Sequence, residues 1–511
     1  MMLATILKGC EDVRLVHGQD ILERDIEGIA YDSRKVRDNY LFVAIKGEIF
    51  DGHAFIREAV AKGAAVIAAN ESYAGLEGVH VLVKDSRKAL ACMVNNFYRR
   101  PSEDLVLSGV TGTNGKTTTT YILKSILETW GKEVGLIGTI QYMIKGKTFS
   151  ALHTTPESLE FQALLSEMLL AGCTYAVAEI SSHALAQYRV DGAIFRAAVF
   201  TNLTRDHLDF HKSMEDYFRA KVRLFSELLD RDGAAVINVD DQYGERLADQ
   251  LRTIDTERRV LTYSLDKVGD LRAHRVDVSF KGIHFVIPYG GSTYEVSSPL
   301  LGLPNVSNIL AAAAAAVSLG VPWHTILQGI RRVQNVSGRF EKVDAGQRFL
   351  CILDYAHTED ALKRLILTAR TLISPVYPSL GKEAPATGRQ IITVFGCGGD
   401  RDKGKRPRMG SVSTQLSDFV IITSDNPRTE EPSEIIAQIE RGAERKNYLI
   451  EPDRRKAIHR AVHLAQDGDI VLVAGKGHEV YQEIQGNRYP FSDREVLLEA
   501  INGALGKVHN E

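Results

Sequence analysis

The stretch GVTGTNGKTTTT at residues 109–120 constrains the fold more than any other part of this 511-residue chain. It lies between the apolar run LVLSGV and the helix-forming run TTTTYILKSILETWG. It has the form of a shortened phosphate-binding loop, because Val110 stands where the usual pattern G-x-x-x-x-G-K-[ST] has its first glycine. A loop of this kind follows a buried strand and opens a helix, which predicts an α/β fold built on a mostly parallel sheet.

The chemistry of this loop favours a nucleotide site. Gly112 and Gly115 permit tight turns in which backbone N–H groups face phosphate oxygens. Lys116 supplies a positive charge for the β- and γ-phosphates, and the hydroxyl of Thr117 can bind Mg²⁺. The helix that begins there adds the positive end of its dipole. The alternative is a glycine-rich turn with an incidental lysine, but the order strand, loop, helix makes a nucleotide site the better interpretation.

The composition is that of a soluble globular protein with several domains. Hydrophobic residues make up 44% and charged residues 25% of the chain, and the net charge of −3 does not indicate a nucleic-acid binder or a cationic membrane surface. The N-terminus MMLATILKGCEDV lacks the basic region of a signal peptide. The most apolar run, Ile309 to Val321, is too short to span a membrane and is predicted to form a buried helix. We expect a cytoplasmic monomer that binds neither nucleic acid nor membrane.

The cysteines predict free thiols. There are five of them, at positions 10, 92, 173, 351 and 397, and no two have C-x-x-C spacing. An odd number without such pairs is more typical of a reducing cytosol than of a disulfide or zinc framework.

The order of apolar runs and breaks predicts three domains. Pro101 separates a first α/β segment, residues 1–100, from a central domain, residues 101–338, that contains the predicted nucleotide site. After NVSGRFE a third domain, residues 339–511, contains the runs LCILDYAH, QIITVFGCGGD, DFVIITSDNPR and DIVLVAGKGHE. Each is β-rich and ends in a polar loop, as in a Rossmann-like sheet whose ligands bind at the carboxyl ends of the strands. We therefore expect four loops on one rim.

Two further stretches are candidates for metal binding. AEISSHALAQYR places Glu179 at the end of a strand, where a carboxylate suits Mg²⁺. TNLTRDHLDFH contains His207, which by itself is more often a capping or hydrogen-bonding histidine than a ligand. Lys221, in DYFRAKVRLF, taken alone would be a solvated helix lysine.

Taken together and in this order, TGTNGKTTT, EISSHAL, TNLTRDHLDFH, LPNVSNILAAAAA, SGRFE and DYAHTEDAL resemble the Mur ligase family. The resemblance covers about residues 30 to 495 and includes the shortened phosphate loop. It implies an ATP-dependent amide-forming enzyme of peptidoglycan precursor synthesis with a UDP-binding first domain. GCGGDRDKGKRPRMG and SDNPRTEEP resemble the type that adds meso-diaminopimelate to UDP-N-acetylmuramoyl-L-alanyl-D-glutamate through an acyl phosphate.

The resemblance also implies roles for individual residues. Mg²⁺ would be held by Thr117, Glu179, His207 and a carbamylated Lys221. ATP would be bound by Gly112, Thr113, Asn114, Gly115, Lys116, Thr117, Thr118, Asn308 and Arg339. Catalysis would involve Lys116, Lys221, His207, Asp354 and His357. Asn308, taken alone, could equally cap a helix.

Substrate contacts are implied in the same way. The nucleotide-sugar peptide would contact Tyr31, Ser33, Glu48, Ile49, Phe50, His153, Thr154, Thr155, Ser181, Gln187 and Arg189. His153 departs from the asparagine of the family pattern. Diaminopimelate would contact Arg401, Asp425, Asn426, Pro427, Arg428, Gly475 and Glu479. Arg428 could grip the carboxylate that distinguishes diaminopimelate from lysine, or it could simply cap the loop before the next helix.

Other functions use part of the same pattern. An L-lysine-adding homologue would share the core but not the need for Arg428. A P-loop switch or motor would need neither a UDP-binding domain nor a rim of amino-acid loops. A folate polyglutamate ligase shares the ATP core but gives no reason for GCGGDRDKGKR and DNPR.

Overall fold

The structure is a computed structural model, and it describes residues 1–16, 19–47, 50–73, 79–373 and 388–506. The chain forms two compact units. One contains Met1–Arg272 with Asn308–Gly329, and the other contains Ala273–Ser307 with Ile330–Glu511. The boundaries after residues 100 and 338 stay a prediction.

The first unit starts with a small α/β layer. Its strands are Val13–Leu15 (β1), Gly28–Ala30 (β2), Tyr40–Val43 (β3), Ala64–Asn70 (β4) and Val81–Val83 (β5). Its helices are Leu3–Ile6 (α1), Ile56–Ala61 (α2) and Ser86–Phe97 (α3). The strand order is β1-β5-β4-β3-β2, and only β1 pairs antiparallel to its neighbour.

A larger sheet follows in the same unit. Its strands are Val106–Thr111 (β6), Val134–Ile137 (β7), Gln141–Ile144 (β8), Lys147–Ser150 (β9), Tyr175–Glu179 (β10), Phe195–Phe200 (β11), Leu229–Asn238 (β12), Arg259–Ser264 (β13) and Leu271–Arg272 (β14). Helices here are Lys116–Thr129 (α4), Ser158–Leu170 (α5), Ser182–Ala186 (α6), Leu208–His211 (α7), Met214–Ser226 (α8) and Gln242–Ile254 (α9). Leu303–Ser318 (α10) and Trp323–Arg332 (α11) are shared between the units.

The position of β6 in this sheet decides where the glycine loop lies. The strand order is β14-β13-β12-β11-β6-β10-β7-β8-β9, and β6 pairs in parallel with both β10 and β11. Strands of this kind, buried on both faces, are continuous apolar runs because helices cover the sheet on each side. The loop after β6 therefore lies beside the residues that follow β10 and β11.

The second unit contains a six-stranded sheet, as far as its residues are described. Its strands are Glu341–Val343 (β18), Leu350–Asp354 (β19), Ile391–Phe395 (β20), Phe419–Ile422 (β21), Tyr448–Ile450 (β22) and Ile470–Ala474 (β23), in the order β18-β19-β23-β20-β21-β22. Two smaller sheets are formed by His274–Ser279 (β15), Gly282–Tyr289 (β16) and Ser292–Ser298 (β17), and by Tyr481–Ile484 (β24) and Asn487–Pro490 (β25). The helices are Glu359–Ile373 (α12), Lys405–Leu416 (α13), Pro432–Glu440 (α14), Arg454–Leu464 (α15) and Asp493–Ala504 (α16).

Strands β19, β23, β20 and β21 are consecutive neighbours and all run parallel. Their carboxyl ends consequently lie on one rim, where the four predicted loops begin. The prediction of an α/β fold with mostly parallel sheets is confirmed.

The prediction of a buried apolar helix is confirmed, whereas the prediction of five free thiols is not. The apolar run before Val321 forms the buried helix α10, in which Ala311–Ala316 have no exposed surface, and no described helix is long and apolar enough to cross a membrane. The prediction of five free thiols was wrong, because Cys10 and Cys92 form a disulfide with their Cα atoms 5.6 Å apart. Packing of α1 against α3 brings together two residues 82 positions apart, which sequence spacing does not reveal.

Candidate active site

The glycine loop connects β6 directly to α4 and has no room for larger residues. Gly112 has φ 148° and Gly115 has φ 88°, a region that glycine adopts without strain. A Cβ on Gly112 would lie 1.9 Å from Oγ1 of Thr201, and one on Gly115 would lie 2.4 Å from Oδ1 of Asn308. Asn308 is therefore placed against the loop, where the sequence predicted a nucleotide contact.

Residues after β11 hold the loop in shape. The backbone N–H groups of Thr113 and Asn114 donate to the backbone O and the Oδ1 of Asn202, at 2.8 and 3.0 Å. Thr201 Oγ1 donates to the backbone O of Asn114 at 2.6 Å. Lys116 Nζ donates back to the carbonyl oxygens of the loop, at 2.9 and 3.0 Å. This fixed turn leaves the N-terminus of α4, with Thr117 and Thr118 in its first turn, at the mouth of the loop.

Glu179 lies next to Thr117. Its side chain is fully buried at the end of β10, and its Oε2 accepts a hydrogen bond from Thr117 Oγ1 at 2.9 Å. Thr139, just after β7, donates to the same carboxylate from its N–H at 2.8 Å and from its hydroxyl at 3.0 Å. Thr139 was missed from the sequence, although it closely follows the apolar strand VGLI and Glu179 ends the neighbouring strand β10. A carboxylate beside a hydroxyl supplies the oxygen donors that suit Mg²⁺.

Lys221 is buried instead of solvated. Ser213 caps α8 by accepting a hydrogen bond from the N–H of Asp216, and the helix then turns Lys221 inward, with 1% of the residue exposed. Lys221 Nζ donates to Gly112 O at 2.9 Å and lies 4.7 Å from the centre of the Tyr217 ring. Burial, with a further effect of the Lys116 ammonium, holds the pKa of Lys221 well below its ordinary value. Lys221 therefore contacts the backbone of the predicted phosphate loop.

His207 lies in a group of rings that includes Tyr217, the ring next to Lys221. It precedes α7 with φ 52°, and its ring centre is 4.7 Å from that of His183 and 6.2 Å from that of Tyr217. Burial lowers the pKa of His207, although Asp206 opposes this. Burial also lowers the pKa of His183 to about 4. In the described part of the chain no group of three or more His, Cys, Asp or Glu residues is arranged to hold a metal.

The predicted peptide contacts of the first unit lie close to Glu179. Thr155 Oγ1 donates to the backbone O of Glu179 at 2.7 Å and accepts from the N–H of Ser181 at 3.0 Å. Arg189 donates to the backbone O of Thr155 at 3.1 Å and to Oε1 of Gln187 at 2.7 Å.

The neighbouring threonine, Thr154, shares a hydrogen bond with Thr139, with 3.1 Å between the hydroxyl oxygens. His153 is exposed, and its backbone O accepts a hydrogen bond from Tyr142 at 2.7 Å.

The predicted UDP contacts are described only in part, since Glu48 and Ile49 lie outside the described residues. Tyr31 donates to the Glu160 carboxylate at 3.0 Å, and Ser33 donates to Glu58 at 3.0 Å. Phe50 is 71% exposed, so its ring is available to a ligand.

In the second unit, Asp354, Arg339 and His357 meet at the end of β19. Asp354 accepts hydrogen bonds from the N–H groups of Phe340 and Ala356, at 2.7 and 2.8 Å. Burial raises the pKa of Asp354, although Arg339 opposes this.

The Tyr355 ring joins this group, 5.1 Å from the Arg339 guanidinium, 4.7 Å from the His357 ring and 5.2 Å from the His478 ring. His478 was missed from the sequence, although it stands next to the predicted contact Glu479.

The predicted diaminopimelate contacts occupy the loops after β20, β21 and β23. Gly399 N–H donates to the backbone O of Asn426 at 2.9 Å, so the first two loops touch, with Pro427 against Gly399. Arg428, with φ 52°, donates to the backbone O of Gly399 at 2.6 Å and lies 3.6 Å from a carboxylate oxygen of Glu483.

The third loop meets the second. Asn426 Nδ2 donates to Oε2 of Glu479 at 2.8 Å, and a Cβ on Gly475 would lie 2.6 Å from Oδ2 of Asp425. Arg401 is exposed in the first loop. A fully buried arginine, Arg406, was missed from the sequence; it makes two hydrogen bonds of 2.9 Å to the Glu430 carboxylate.

Comparisons with known proteins place the chain among ligases. Three domain families match: the Mur ligase family catalytic domain at residues 25–98, the Mur ligase middle domain at 110–316, and the Mur ligase glutamate ligase domain at 338–477. The UDP-N-acetylmuramoyl-L-alanyl-D-glutamate–2,6-diaminopimelate ligases of Solibacter usitatus and Aquifex aeolicus are each 44% identical to this chain. Each alignment covers 95% of this chain, and 95% and 96% of the respective relative.

Solved structures give the same result. A structure of a ligase with that activity in its name is 32% identical, with a TM-score of 0.71 and 99% of each chain covered. MurF from Acinetobacter baumannii, at 19% identity and a TM-score of 0.63 over 93% of this chain and 95% of that one, shares the fold.

Proposed function

The chain belongs to the Mur ligase family, and we propose that it joins meso-diaminopimelate to UDP-N-acetylmuramoyl-L-alanyl-D-glutamate with hydrolysis of ATP to ADP and phosphate. The observation that carries this proposal is similarity over almost the whole chain, at 44% identity, to enzymes with this activity in their names. The side-chain roles below are proposals supported by the geometry of each unit.

The reaction needs an activated carboxylate. The D-glutamate side-chain carboxylate attacks the γ-phosphorus of ATP, forming an acyl phosphate and releasing ADP. The amine of diaminopimelate then attacks the acyl carbon, and phosphate leaves from the tetrahedral intermediate. Lys116 and the N–H groups of the glycine loop are proposed to hold the phosphates in line for the first step. The fixed turn and the position of Lys116 at the start of α4 support this proposal.

Mg²⁺ fits the donor set of the first unit. Thr117 and Glu179, whose oxygens are 2.9 Å apart, would hold one ion, and His207 with a carbamylated Lys221 would hold a second. When bound, such ions offset the repulsion between a carboxylate and a triphosphate. Thr139 would hold the Glu179 carboxylate in place through two hydrogen bonds.

Nucleotide and sugar contacts are proposed for further residues. Asn308 contacts the adenine, and Arg339, Asp354 and His357 contact the nucleotide or the incoming amine. Tyr31, Ser33, Glu48, Ile49 and Phe50 bind the UDP group, and His153, Thr154, Thr155, Ser181, Gln187 and Arg189 bind the peptide. We place the reaction in the cytoplasm, where ATP is supplied, and expect a monomer with domains at 1–100, 101–338 and 339–511.

Selection of diaminopimelate is assigned to the rim of the second unit. Arg428 presents a planar guanidinium that can bind a carboxylate with two hydrogen bonds, and lysine has no carboxylate at that end. Arg401, Asp425, Asn426, Pro427, Gly475 and Glu479 complete the contacts, with Glu479 facing the ammonium group. The Arg428 guanidinium is partly buried, and a site that leaves it without the carboxylate of the substrate would disfavour lysine by about 1–3 kcal/mol, so discrimination of at least about tenfold is expected.

A phosphate-release assay with a panel of amino acids tests the proposal. Release should require both the nucleotide-sugar peptide and meso-diaminopimelate, and L-lysine should give a much lower kcat/KM. Arg428→Ala should lose most activity with diaminopimelate, whereas Arg445→Ala, which removes an exposed arginine, should behave as wild type.

Three results would contradict the proposal. Equal use of lysine would identify a lysine-adding enzyme. Phosphate release without any amino acid would favour a nucleotide-driven switch. Dependence on glutamate with a folate would indicate a polyglutamate ligase.

A further inference from the structure

Lys476 is a buried cation in the loop after β23, and none of the roles proposed above uses it. None of its surface is exposed, although it lies between Gly475 and Gly477 on the rim of the sheet. A buried ammonium group is unfavourable unless its hydrogens are bonded to acceptors, so the identity of those acceptors shows what the lysine organises.

The acceptors are two of the proposed diaminopimelate contacts. Lys476 Nζ donates to Oδ1 of Asn426 at 2.9 Å and to Oε2 of Glu479 at 3.1 Å. Asn426 Nδ2 donates to the same Oε2 at 2.8 Å, so the three side chains form a closed ring of hydrogen bonds. The N–H of Glu483 donates to Oδ1 of Asn426 at 3.0 Å, which fixes the orientation of this amide.

The ring leaves one oxygen of Glu479 for a ligand. Its Oε2 accepts from both Asn426 and Lys476, whereas its Oε1 makes no hydrogen bond to any residue in the described part of the chain. The side chain of Glu479 is 19% exposed, so its carboxylate is accessible to an incoming ammonium group. Lys476 itself, with no exposed surface, cannot touch a substrate.

We propose that Lys476 is a positioning residue for the amino-acid substrate: it holds Glu479 and Asn426 so that Oε1 of Glu479 faces the ammonium group. This inference rests on the proposed function, because it assigns a device to the diaminopimelate site. The ion pair keeps Glu479 from rotating away when the site is empty, so binding does not have to order this side chain. Lys476 thus acts on the affinity for one of the three substrates.

A purely structural lysine would behave differently. Its loss would lower the stability of the second unit and change the kinetics of all substrates together. A positioning lysine acts through Glu479, so its loss should raise the KM for diaminopimelate while the KM values for ATP and the nucleotide-sugar peptide stay near wild type. Substitution of Lys476 and substitution of Glu479 should also have coupled effects on this KM, because each breaks the same hydrogen-bonded arrangement.

The test is a double-mutant cycle on the full chain with Lys476→Met, Glu479→Gln and the double variant. Each single substitution should raise the KM for diaminopimelate by about tenfold or more, since a hydrogen bond to a charged group is lost. The KM of the double variant for diaminopimelate should exceed that of the more impaired single variant by no more than about twofold. Lys476 Nζ also lies 5.6 Å from the centre of the Tyr481 ring. Lys446→Met is therefore the matched control, because Lys446 lies 5.9 Å from the centre of the Tyr448 ring but is exposed, just before β22.

The outcomes separate the inference from the function on which it rests. Wild type without diaminopimelate-dependent phosphate release would contradict the proposed function. Wild type with that activity, and a Lys476→Met variant with an unchanged KM for diaminopimelate, would overturn the inference alone. Multiplicative effects in the double variant would overturn it too. If Lys476→Met does not fold, the same cycle is run with Lys476→Gln, which keeps a hydrogen-bond donor but loses the charge. A raised KM for diaminopimelate supports the inference, and an unchanged KM overturns it.

Discussion

Carbamylation of Lys221 is the prediction with the widest consequences for the metal site. Its Nζ is buried against Gly112 O, and none of the ion pairs among the described residues includes it. A buried amine without an anionic partner favours the neutral form, which can attack the carbon of CO₂. The new N–C bond gives a carbamate anion and releases one proton. This converts a cation donor into an oxygen ligand suited to Mg²⁺.

Two substitutions distinguish the effect of losing the apolar part of the Lys221 side chain from the effect of losing its amine. Lys221→Ala removes three buried methylenes, worth about 0.8 kcal/mol each, and a hydrogen bond of about 1 kcal/mol, so the free energy of unfolding should fall by ~3 kcal/mol. Lys221→Met keeps most of the apolar volume and should lose only about 1 kcal/mol. Both lack the carbamate, so both should lose at least about hundredfold in activity, or ~2.7 kcal/mol of transition-state stabilisation.

Phosphate release and thermal unfolding measure these two effects independently. Removal of dissolved CO₂ should slow the wild type, and bicarbonate should restore it. Acetate should rescue Lys221→Ala, which leaves a space beside the loop, but not Lys221→Met, which fills it. With ¹³C-labelled CO₂, a carbamate NMR signal should be present in wild type and absent in Lys221→Met. Full activity of Lys221→Met, or the absence of that signal in active wild type, would refute the reasoning.

Three further predictions concern other parts of the chain. Lys116→Ala should lower the rate of phosphate release by at least about hundredfold, while its thermal unfolding stays close to that of wild type. Near-normal turnover of the folded variant would contradict the nucleotide assignment. Thiol titration of denatured, unreduced protein should find three of the five cysteines, with Cys10 and Cys92 unreactive, and a count of five would disprove the disulfide. Burial, with a further effect of Arg339, lowers the pKa of His478 to about 4, so the unfolded chain binds the proton first. Stability should therefore be lost as the pH falls from 6.5 towards 4, and a His478→Gln variant melting with the same pH dependence would contradict this.

The sequence by itself determined the local architecture of the candidate site. The order of apolar run, glycine loop and helix predicted β6, the loop and α4, because φ-positive glycines and helix starts depend mainly on neighbouring residues. In the same way, four β-rich runs ending in polar loops predicted the rim of the second unit, since parallel strands place their carboxyl ends together. The family resemblance then implied roles for residues such as Glu179 and Arg428.

Only the tertiary structure decided which side chains are buried and what they contact. From the sequence alone Lys221 is a solvated helix lysine, whereas in the structure α8 places it against Gly112. The sequence likewise does not indicate that Lys476 donates hydrogen bonds to both Asn426 and Glu479. The disulfide that joins Cys10, just after α1, to Cys92 in α3 was hidden for the same reason. Burial and hydrogen-bond partners arise from packing between segments far apart in the chain, and the spacing of residues along one segment carries no information about that packing.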